Sequence, residues 1–302
     1  MKISSDLHLH THCSCDSANA TLPYILESGR KLGLKHIGIS DHLHTAFNMP
    51  DIEIARKEFL EMGKIPNFHF GLEITCATRW ECEKIAKRDF ASCFTYNLKG
   101  HPFQTMTPID GIMFGGPAGG PLYLDITQED IDRLGIEYII GGVHKPNYTE
   151  MAPKPMIDDF FNQTCFMLNT PFIDILAHPW DGLEFWSTDY LITKKTADIN
   201  FDVYYMIPQE YWDEVGHLLA VNHKLAEFNG GFYAMVKHPE KVVHFFMEKM
   251  CEWREKGVKF SYGSDLHSEP MDGFKMSKTE KILTEYGFTE DDFALPPRLK
   301  NS

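Results

Sequence analysis

Short apolar runs recur along the chain, and most are followed by a segment whose apolar residues repeat every three or four positions. A short apolar run bounded by turn residues is typical of a buried strand, whereas the longer repeat is typical of an amphipathic helix. The clearest helical pattern spans Pro239–Lys256 and ends at Gly257. Seven runs are interpreted as strands: Ile3–His8, His36–Ser40, Phe68–Ile74, Tyr138–Val143, Phe172–Ala177, Lys224–Phe228 and Val258–Gly263.

This alternation of strands and helices predicts an α/β fold whose parallel strands are joined by right-handed crossovers. Seven such units favour a closed barrel over an open sheet. Two regions interrupt the alternation: Phe94–Leu124, which contains GIMFGGPAGGP and is long for a connection, and Ser187–Tyr204. Neither is typical of a linker, so we expect one domain over residues 1–302, with a pocket-shaping insertion around 94–125.

Composition narrows the classes of function. The chain has 302 residues, 43% of them apolar, which is enough for a sizeable core. Its 29 basic and 43 acidic residues give a net charge of −14. An acidic surface repels nucleic-acid phosphates, so we expect no nucleic-acid partner. Bound divalent cations would reverse the sign locally, so a phosphate ester could still enter a metal site.

The cysteine pattern and the absence of apolar segments bear on location. Seven cysteines are scattered without a CxxC pair or a small secreted framework, which favours reduced thiols. No basic-then-apolar leader precedes Asp6, and no apolar run approaches the ~18 residues that span a bilayer. We therefore expect a cytoplasmic protein with no membrane partner.

Metal-capable side chains stand at or just past the ends of six predicted strands. His8 and His10 are two residues apart and so share one face of a strand, and Asp265 and His267 repeat that spacing after the last strand. In α/β barrels the carboxyl ends of the strands hold the active site. With Asp16 from the first loop, the candidate ligands are His8, His10, Asp16, His42, Glu73, His144, His178, Asp265 and His267.

These nine ligands exceed the needs of one ion, because a catalytic zinc takes about three protein ligands and a water. Three ions would fit if one carboxylate is shared. A mixture of imidazole and carboxylate favours Zn, Mn or Fe over Ca or Mg. The expected cofactors are therefore three divalent metal ions, with no choice among Zn, Mn and Fe.

The motifs DLHLHTHCSCD, SDH, GLE, GGVH, AHP and GSDLH occur in this order and span nearly the whole chain. In this the chain resembles the PHP (polymerase and histidinol phosphatase) family of metal-dependent phosphoesterases. The resemblance implies a distorted (β/α)7 TIM-like barrel with a trinuclear metal site at the carboxyl ends of the strands. The first motif, followed by Ser17, is most similar to the histidinol-phosphatase branch.

The resemblance also divides the ligands among three ions. The first ion would be held by His8, His10, Glu73 and Asp265. Glu73 would bridge to a second ion, which is also held by His144 and His178. The third ion would be held by Asp16, His42 and His267.

The implied reaction is hydrolysis of a small-molecule phosphate monoester, with Glu73, Asp265 and His267 as the catalytic residues. Two ions about 3.5–4 Å apart would clamp a hydroxide and a phosphate oxygen, since metal binding lowers the pKa of water to about 7. The third ion would offset charge on the leaving group. No separate nucleophilic side chain is expected.

Candidate substrate contacts are less specific. Lys145 and Arg79 follow ligands along the chain and could steer a phosphate, although a solvated surface charge is the more common role for such residues. Trp180 is a candidate for a stacking wall or for the core. His12 is a candidate substrate-binding residue that could orient a metal ligand or the substrate. The histidinol-phosphatase branch carries arginines near its fifth and sixth strand ends. Those places here read HPWDGLEFW and EFNGGFY, without arginine, which disfavours histidinol phosphate itself.

Three alternative functions agree less well with the sequence. Amidohydrolase-type barrels, which act on C–N bonds, also begin with an HxH strand, but usually carry a bridging lysine and lack a histidine two residues after the late aspartate. The pair Asp265 and His267, with Glu73, favours the phosphoesterase. The charge of −14 counts against a phosphodiesterase or nuclease-like module acting on DNA. A metal-binding protein without activity is disfavoured because all nine ligand positions are filled.

Overall fold

A computed structural model describes most of the chain. The described residues are 1–17, 19–89, 119–147, 150, 152–186, 199–234, 238–271 and 273–299, together with the backbone of 95–98, 101–104 and 300–301. Most of the predicted insertion around 94–125, and most of the irregular stretch Ser187–Tyr204, lie outside these residues.

The strands of the described chain are mostly short. In chain order they are β1 (Ser5–Asp6), β2 (His36–Ile39), β3 (His42–Leu43), β4 (Phe68–Thr75), β5 (Ala77–Thr78), β6 (Thr95–Leu98), β7 (His101–Gln104), β8 (Leu122–Tyr123), β9 (Tyr138–Gly142), β10 (Ile175–Leu176), β11 (Leu225–Asn229) and β12 (Lys259–Gly263).

Helices connect most of these strands. They are α1 (Leu22–Lys31), α2 (Met49–Glu61), α3 (Arg79–Ala86), α4 (Gln128–Leu134), α5 (Pro153–Leu168), α6 (Leu183–Trp186), α7 (Gln209–Val221), α8 (Gly230–Tyr233), α9 (Glu240–Glu255) and α10 (Phe274–Glu285). Short 3-10 helices span Ala46–Asn48, Phe201–Met206, Glu290–Asp292 and Pro297–Asn301. No helix among the described residues is long and apolar enough to cross a membrane.

The main sheet has the order β1-β2-β4-β9-β10-β11-β12, with β3 also paired to β4, and every pairing in it is parallel. Its two edges meet just beyond β1 and β12. Leu7 N donates to Tyr262 O at 3.3 Å, and Leu9 forms a parallel bridge with Leu266. The sheet is thus nearly closed, which confirms the predicted α/β barrel; it contains the seven predicted strands and β3 as an eighth. The antiparallel pairs β5–β8 and β6–β7 were not predicted.

Apolar side chains fill the barrel from within. The inner cluster contains Leu7, Tyr138, Ile140, Ile175, Ala177, Leu225 and Leu299. Ile139 lies between two inner residues and belongs to the larger cluster, because successive side chains of a strand point to opposite faces. Tyr138 crosses the interior, where its hydroxyl lies 2.6 Å from Leu7 O. A side chain in place of Gly71 would overlap the Tyr138 ring, which explains a glycine inside β4.

The predicted helix near residue 240 is α9, and its apolar stripe is buried as expected. Trp253 is fully buried, and its Nε1 donates to Trp212 O at 2.8 Å, which ties α9 to α7. Gly257 follows the helix with φ +86, a conformation that glycine adopts without steric penalty. The outer helices therefore enclose the barrel and leave the carboxyl ends of the strands for polar residues.

Candidate metal centre

The carboxyl ends of the strands bring the nine predicted ligands together. His8 and His10 follow β1, and Asp265 and His267 follow β12. His42 in β3 stands in register with Glu73 in β4. The remaining ligands are Asp16 from the first loop, His144 after β9 and His178 after β10. Side chains that are up to 259 residues apart in sequence, His8 and His267, therefore line one site.

The carboxylate of Glu73 lies at the centre of this cluster and is fully buried. Five imidazoles surround its two oxygens. Oε2 lies 2.9 Å from His8 Nε2, 3.4 Å from His10 Nε2 and 3.1 Å from His42 Nδ1, while Oε1 lies 3.0 Å from His144 Nε2 and 3.1 Å from His178 Nε2. Such an arrangement lets one carboxylate contribute to two adjacent ion positions.

A second group of side chains faces the open side of the cluster. Asp16 Oδ2 lies 3.2 Å from His42 Nε2 and 3.1 Å from His267 Nε2. His10 stacks against the rings of His42 and His267, with centroids 4.3 and 4.1 Å apart. The ligand atoms of these four residues all lie within 4.8 Å of one another, a spacing that one ion can bridge.

Asp265 completes the cluster from the last strand. Its Oδ1 lies 3.3 Å from His10 Nε2 and 3.5 Å from His8 Nε2. Its backbone φ is +55, and that of His178 is +23. Positive φ angles are uncommon in residues other than glycine, and they persist only where surrounding contacts hold the strained backbone. Such residues cluster at functional sites. Asp265 N donates to His8 O at 2.9 Å, and this bond holds the two ligand-bearing turns against each other.

The protonation states of the donors fit divalent metals. Burial and the nearby His42 lower the pKa of His10 to about 3, so its imidazole stays neutral. Its Nε2 is buried, and its approaches of 3.3 Å to Asp265 and 3.4 Å to Glu73 lack the geometry of a hydrogen bond. Burial raises the pKa of Glu73, but His8 and His42 outweigh it and hold that pKa well below the ordinary value. Neutral imidazoles and ionised carboxylates are the donors that Zn, Mn and Fe prefer.

His8 behaves differently from His10. Burial alone lowers the pKa of His8, but the carboxylates of Glu227, Glu73 and Asp265 outweigh it and raise that pKa well above the ordinary value. A metal ion at His8 Nε2 must therefore displace a proton.

Sequence reasoning missed Glu227, which lies in β11 and is 1% exposed. Its Oε1 accepts from His8 Nδ1 at 2.6 Å, and its Oε2 accepts from His178 N at 3.0 Å. A side chain at Gly263 would overlap the Glu227 carboxylate, so this glycine makes room for it. The signal was present in LAEFN, where a carboxylate interrupts an apolar strand.

Thr75 was also missed. Its Oγ1 lies 2.7 Å from His144 Nδ1 and 2.6 Å from His44 Nδ1. Burial, together with His42 and His144, lowers the pKa of His44 well below the ordinary value, so His44 is neutral. Because one hydroxyl has a single proton, Thr75 accepts from one imidazole and donates to the other. If Nε2 of His144 binds metal, His144 donates to Thr75, and Thr75 donates to His44.

The predicted substrate residues Lys145 and Arg79 contact side chains that are not among the nine ligands. Lys145 is buried, and its Nζ donates to Glu81 at 2.7 Å and Asn147 at 2.9 Å. Arg79 is exposed, with its guanidinium 5.4 Å from the centroid of the Tyr123 ring.

The other two predicted substrate residues, His12 and Trp180, contact side chains outside the ligand cluster. His12 Nε2 lies 3.4 Å from Glu58 Oε1 in α2 and 3.7 Å from Cys13 Sγ. Trp180 is 2% exposed, and its ring centroid lies 5.7 Å from that of Trp212. Of the two readings offered for Trp180, its position agrees with the core. Direct substrate contacts by these four residues stay predictions.

Comparison with known proteins decides the family. The family model of the PHP domain matches residues 6–185, which is more than half of the chain. The chain belongs to the PHP domain family. It is accordingly a metal-dependent phosphoesterase of the PHP type, and this favours the predicted phosphoesterase over an amidohydrolase-type enzyme. No curated protein sequence matches the chain.

Three solved structures are similar to the chain at low sequence identity, and the first of them shows the same fold. The histidinol phosphate phosphatase of Lactococcus lactis, solved with zinc, L-histidinol and phosphate, has 16% identity and a TM-score of 0.57, covering 96% of this PHP protein and 95% of that chain. A putative histidinol phosphatase of Listeria monocytogenes has 12% identity and a TM-score of 0.49, and the match covers 93% of this chain and 99% of that chain. A structure from the work on the metal-dependent tyrosine phosphatases YwqE of Bacillus subtilis and CpsB of Streptococcus pneumoniae has 13% identity and a TM-score of 0.43. The match covers 95% of this chain and 89% of that chain.

Proposed function

We propose that this protein hydrolyses phosphate monoesters of small molecules with three divalent ions, Zn, Mn or Fe. The observation that carries the proposal is the Glu73 carboxylate, buried among five imidazoles at the carboxyl ends of the strands. The Lactococcus lactis enzyme, which has a similar fold, was solved with zinc, L-histidinol and phosphate, and this supports the proposed chemistry.

The ligands divide among the ions as the family resemblance implies. One ion would be held by His8, His10, Glu73 and Asp265, a second by Glu73, His144 and His178, and a third by Asp16, His42 and His267. When bound, these ions would activate water and neutralise charge on the phosphate. No protein nucleophile is then required.

The protein side chains have two tasks in this proposal. Glu73 and Asp265 hold negative charge between the imidazoles, and Glu227 holds the His8 proton at Nδ1, so that Nε2 faces the centre. Glu73 is fully buried, whereas the side chains of Asp16, His267 and Asp265 are 35, 32 and 22% exposed. Substrate would therefore approach from the side of Asp16 and His267.

The substrate itself is proposed only as a class. A small phosphate ester agrees with the phosphate-binding chemistry, and the net charge of −14 disfavours nucleic acid. The absence of arginine from HPWDGLEFW and EFNGGFY disfavours histidinol phosphate. We propose that the insertion around 94–125, within a single domain of residues 1–302, shapes the pocket.

Metal analysis combined with a phosphatase screen tests the proposal. We expect at least two divalent ions per chain and release of phosphate from a panel of phosphoesters with added Mn or Zn. Glu73→Gln should abolish release, because it removes the charge that five imidazoles share. Glu137→Gln is the matched control, since Glu137 stands immediately before β9 at the opposite end of the barrel. Fewer than two ions, with no phosphate release, would refute the function.

A further inference from the structure

A phosphate dianion normally meets protein cations as well as metal ions, yet the predicted cations are engaged elsewhere. The Lys145 ammonium is buried between Glu81 and Asn147. The Arg79 guanidinium lies over Tyr123. Another lysine, Lys275 in the first turn of α10, lines a cavity of about 500 Å³ together with Asp265 and His267.

We propose that Lys275 is a substrate-binding residue that donates to a phosphate oxygen of the ester at the metal centre. This inference rests on the proposed function and adds a contact that neither the motifs nor the predicted residues include. Three observations support it: the cavity, the position of the ammonium and, among the described residues, the lack of a carboxylate partner.

The cavity connects Lys275 with the ligands. The cavity is lined by residues 264–271 and by Phe274 and Lys275. Asp265 Oδ1 lies 3.3 Å from His10 Nε2, so this cavity borders the candidate metal centre directly. A ligand that contacts His267 in this cavity is therefore within reach of the lysine side chain.

The ammonium stands above the carboxyl ends of two strands. Lys275 Nζ lies 3.5 Å from Ser264 O, immediately after β12. It also lies 4.0 Å from the position that a Cβ of Gly231 would occupy, in α8 after β11. Gly231 stands two residues after Asn229, the last residue of β11. Lys275 thus supplies positive charge near that strand end from a different element.

The ammonium also retains hydrogen-bonding capacity. Within the described part of the chain its recorded contact is the neutral carbonyl of Ser264, and no carboxylate lies within ion-pair distance. A lysine has three N–H donors, so two remain for a ligand or solvent. As a flexible point charge it can follow a phosphate without the fixed fork geometry that arginine imposes. These features distinguish it from Lys145, which is buried against a carboxylate.

The test compares phosphate binding and turnover in three variants of the manganese-loaded, full-length protein. Lys275→Gln removes the charge, and Lys275→Arg retains it. Lys281→Gln is the matched control, because Lys281 lies on the same helix, is 72% exposed and pairs with Glu285 at 3.8 Å. The probes are inorganic phosphate in calorimetry and p-nitrophenyl phosphate in steady-state kinetics.

For Lys275→Gln we expect about a tenfold rise in the Kd of phosphate and in KM, the size typical of one lost charged hydrogen bond. Manganese content and melting temperature should not change. Lys275→Arg should restore most of the affinity, and Lys281→Gln should match the wild type. An unchanged Kd in Lys275→Gln, or an equal loss in Lys281→Gln, would overturn the assignment, as would a wild type that binds no phosphate.

The two arms separate this inference from the proposed function. Phosphate binding requires no turnover, so weaker binding in Lys275→Gln supports the lysine contact even if the wild type hydrolyses no ester. Conversely, wild-type turnover with unaltered phosphate binding in Lys275→Gln would retain the function and refute the contact.

Discussion

Glu227→Gln should weaken metal binding although Glu227 is not among the nine predicted ligands. Its two carboxylate oxygens accept from two donors, His8 Nδ1 at 2.6 Å and His178 N at 3.0 Å. A glutamine amide has one oxygen and one NH2 group, so one of the two donors would face an NH2 group, which cannot accept its hydrogen bond. The substitution also removes a charge that fixes which nitrogen of His8 carries the proton.

The expected size follows from these contacts. Loss of a partner that orients a ligating histidine typically lowers metal affinity by about 10–100-fold. At about 1.36 kcal/mol per factor of ten, this is about 1.4–2.7 kcal/mol. In the metal-free protein, one buried donor left without an acceptor should lower the free energy of unfolding by about 1–3 kcal/mol.

Competition with a chromophoric chelator would measure the zinc affinity, and urea unfolding of the metal-free protein would measure stability. Glu280→Gln is a suitable control, since Glu280 Oε1 accepts a single backbone N–H, that of Ile3 at 2.8 Å, and an amide can replace it. The reasoning is refuted if Glu227→Gln binds zinc within twofold of the wild type, or if the control loses as much affinity.

Three further outcomes are expected. Thr75→Val should lower the manganese affinity about tenfold in a chelator competition, because His144 loses the hydroxyl that it contacts. Thr75→Ser keeps the hydroxyl and should keep the affinity. Equal affinities in the two variants would contradict the hydrogen-bond relay from His144 through Thr75 to His44. Burial lowers the pKa of His238, but Asp181 and Glu184 outweigh it and raise that pKa to about 9. His238 therefore stabilises the fold fully below pH 6.5 and loses this contribution as the pH rises through 9. His238→Gln should lower the free energy of unfolding by about 1–3 kcal/mol at pH 6 and by much less at pH 10. A difference in urea unfolding that does not vary with pH would contradict this expectation. Zinc or manganese at a concentration of 100 times its Kd should raise the free energy of unfolding by about 2.7 kcal/mol and should raise the melting temperature. An unaltered melting temperature would argue against metal binding by the folded site.

Much of the architecture is local in origin and could be predicted. A strand alternates its faces every residue, so two residues such as His8 and His10 share a face wherever the strand lies. Parallel strands in a barrel present their carboxyl ends at one mouth, so ligands such as Glu73 and Asp265 were placed together before any contact was known. The sequence by itself therefore determined the α/β barrel, the end of it that carries the site and the cluster of ligand-type side chains.

Partners of buried polar groups were decided only by the tertiary structure. Glu227 reaches His8 across 219 residues, and nothing in LAEFN says which imidazole its carboxylate will face. Lys145 follows a predicted ligand, yet its ammonium lies against Glu81, whereas Lys275 reaches the cavity from a helix that carries no motif. Backbone periodicity is a property of each segment, but the partner of a buried charge depends on which segments pack against it, and only the closed barrel brings those segments together.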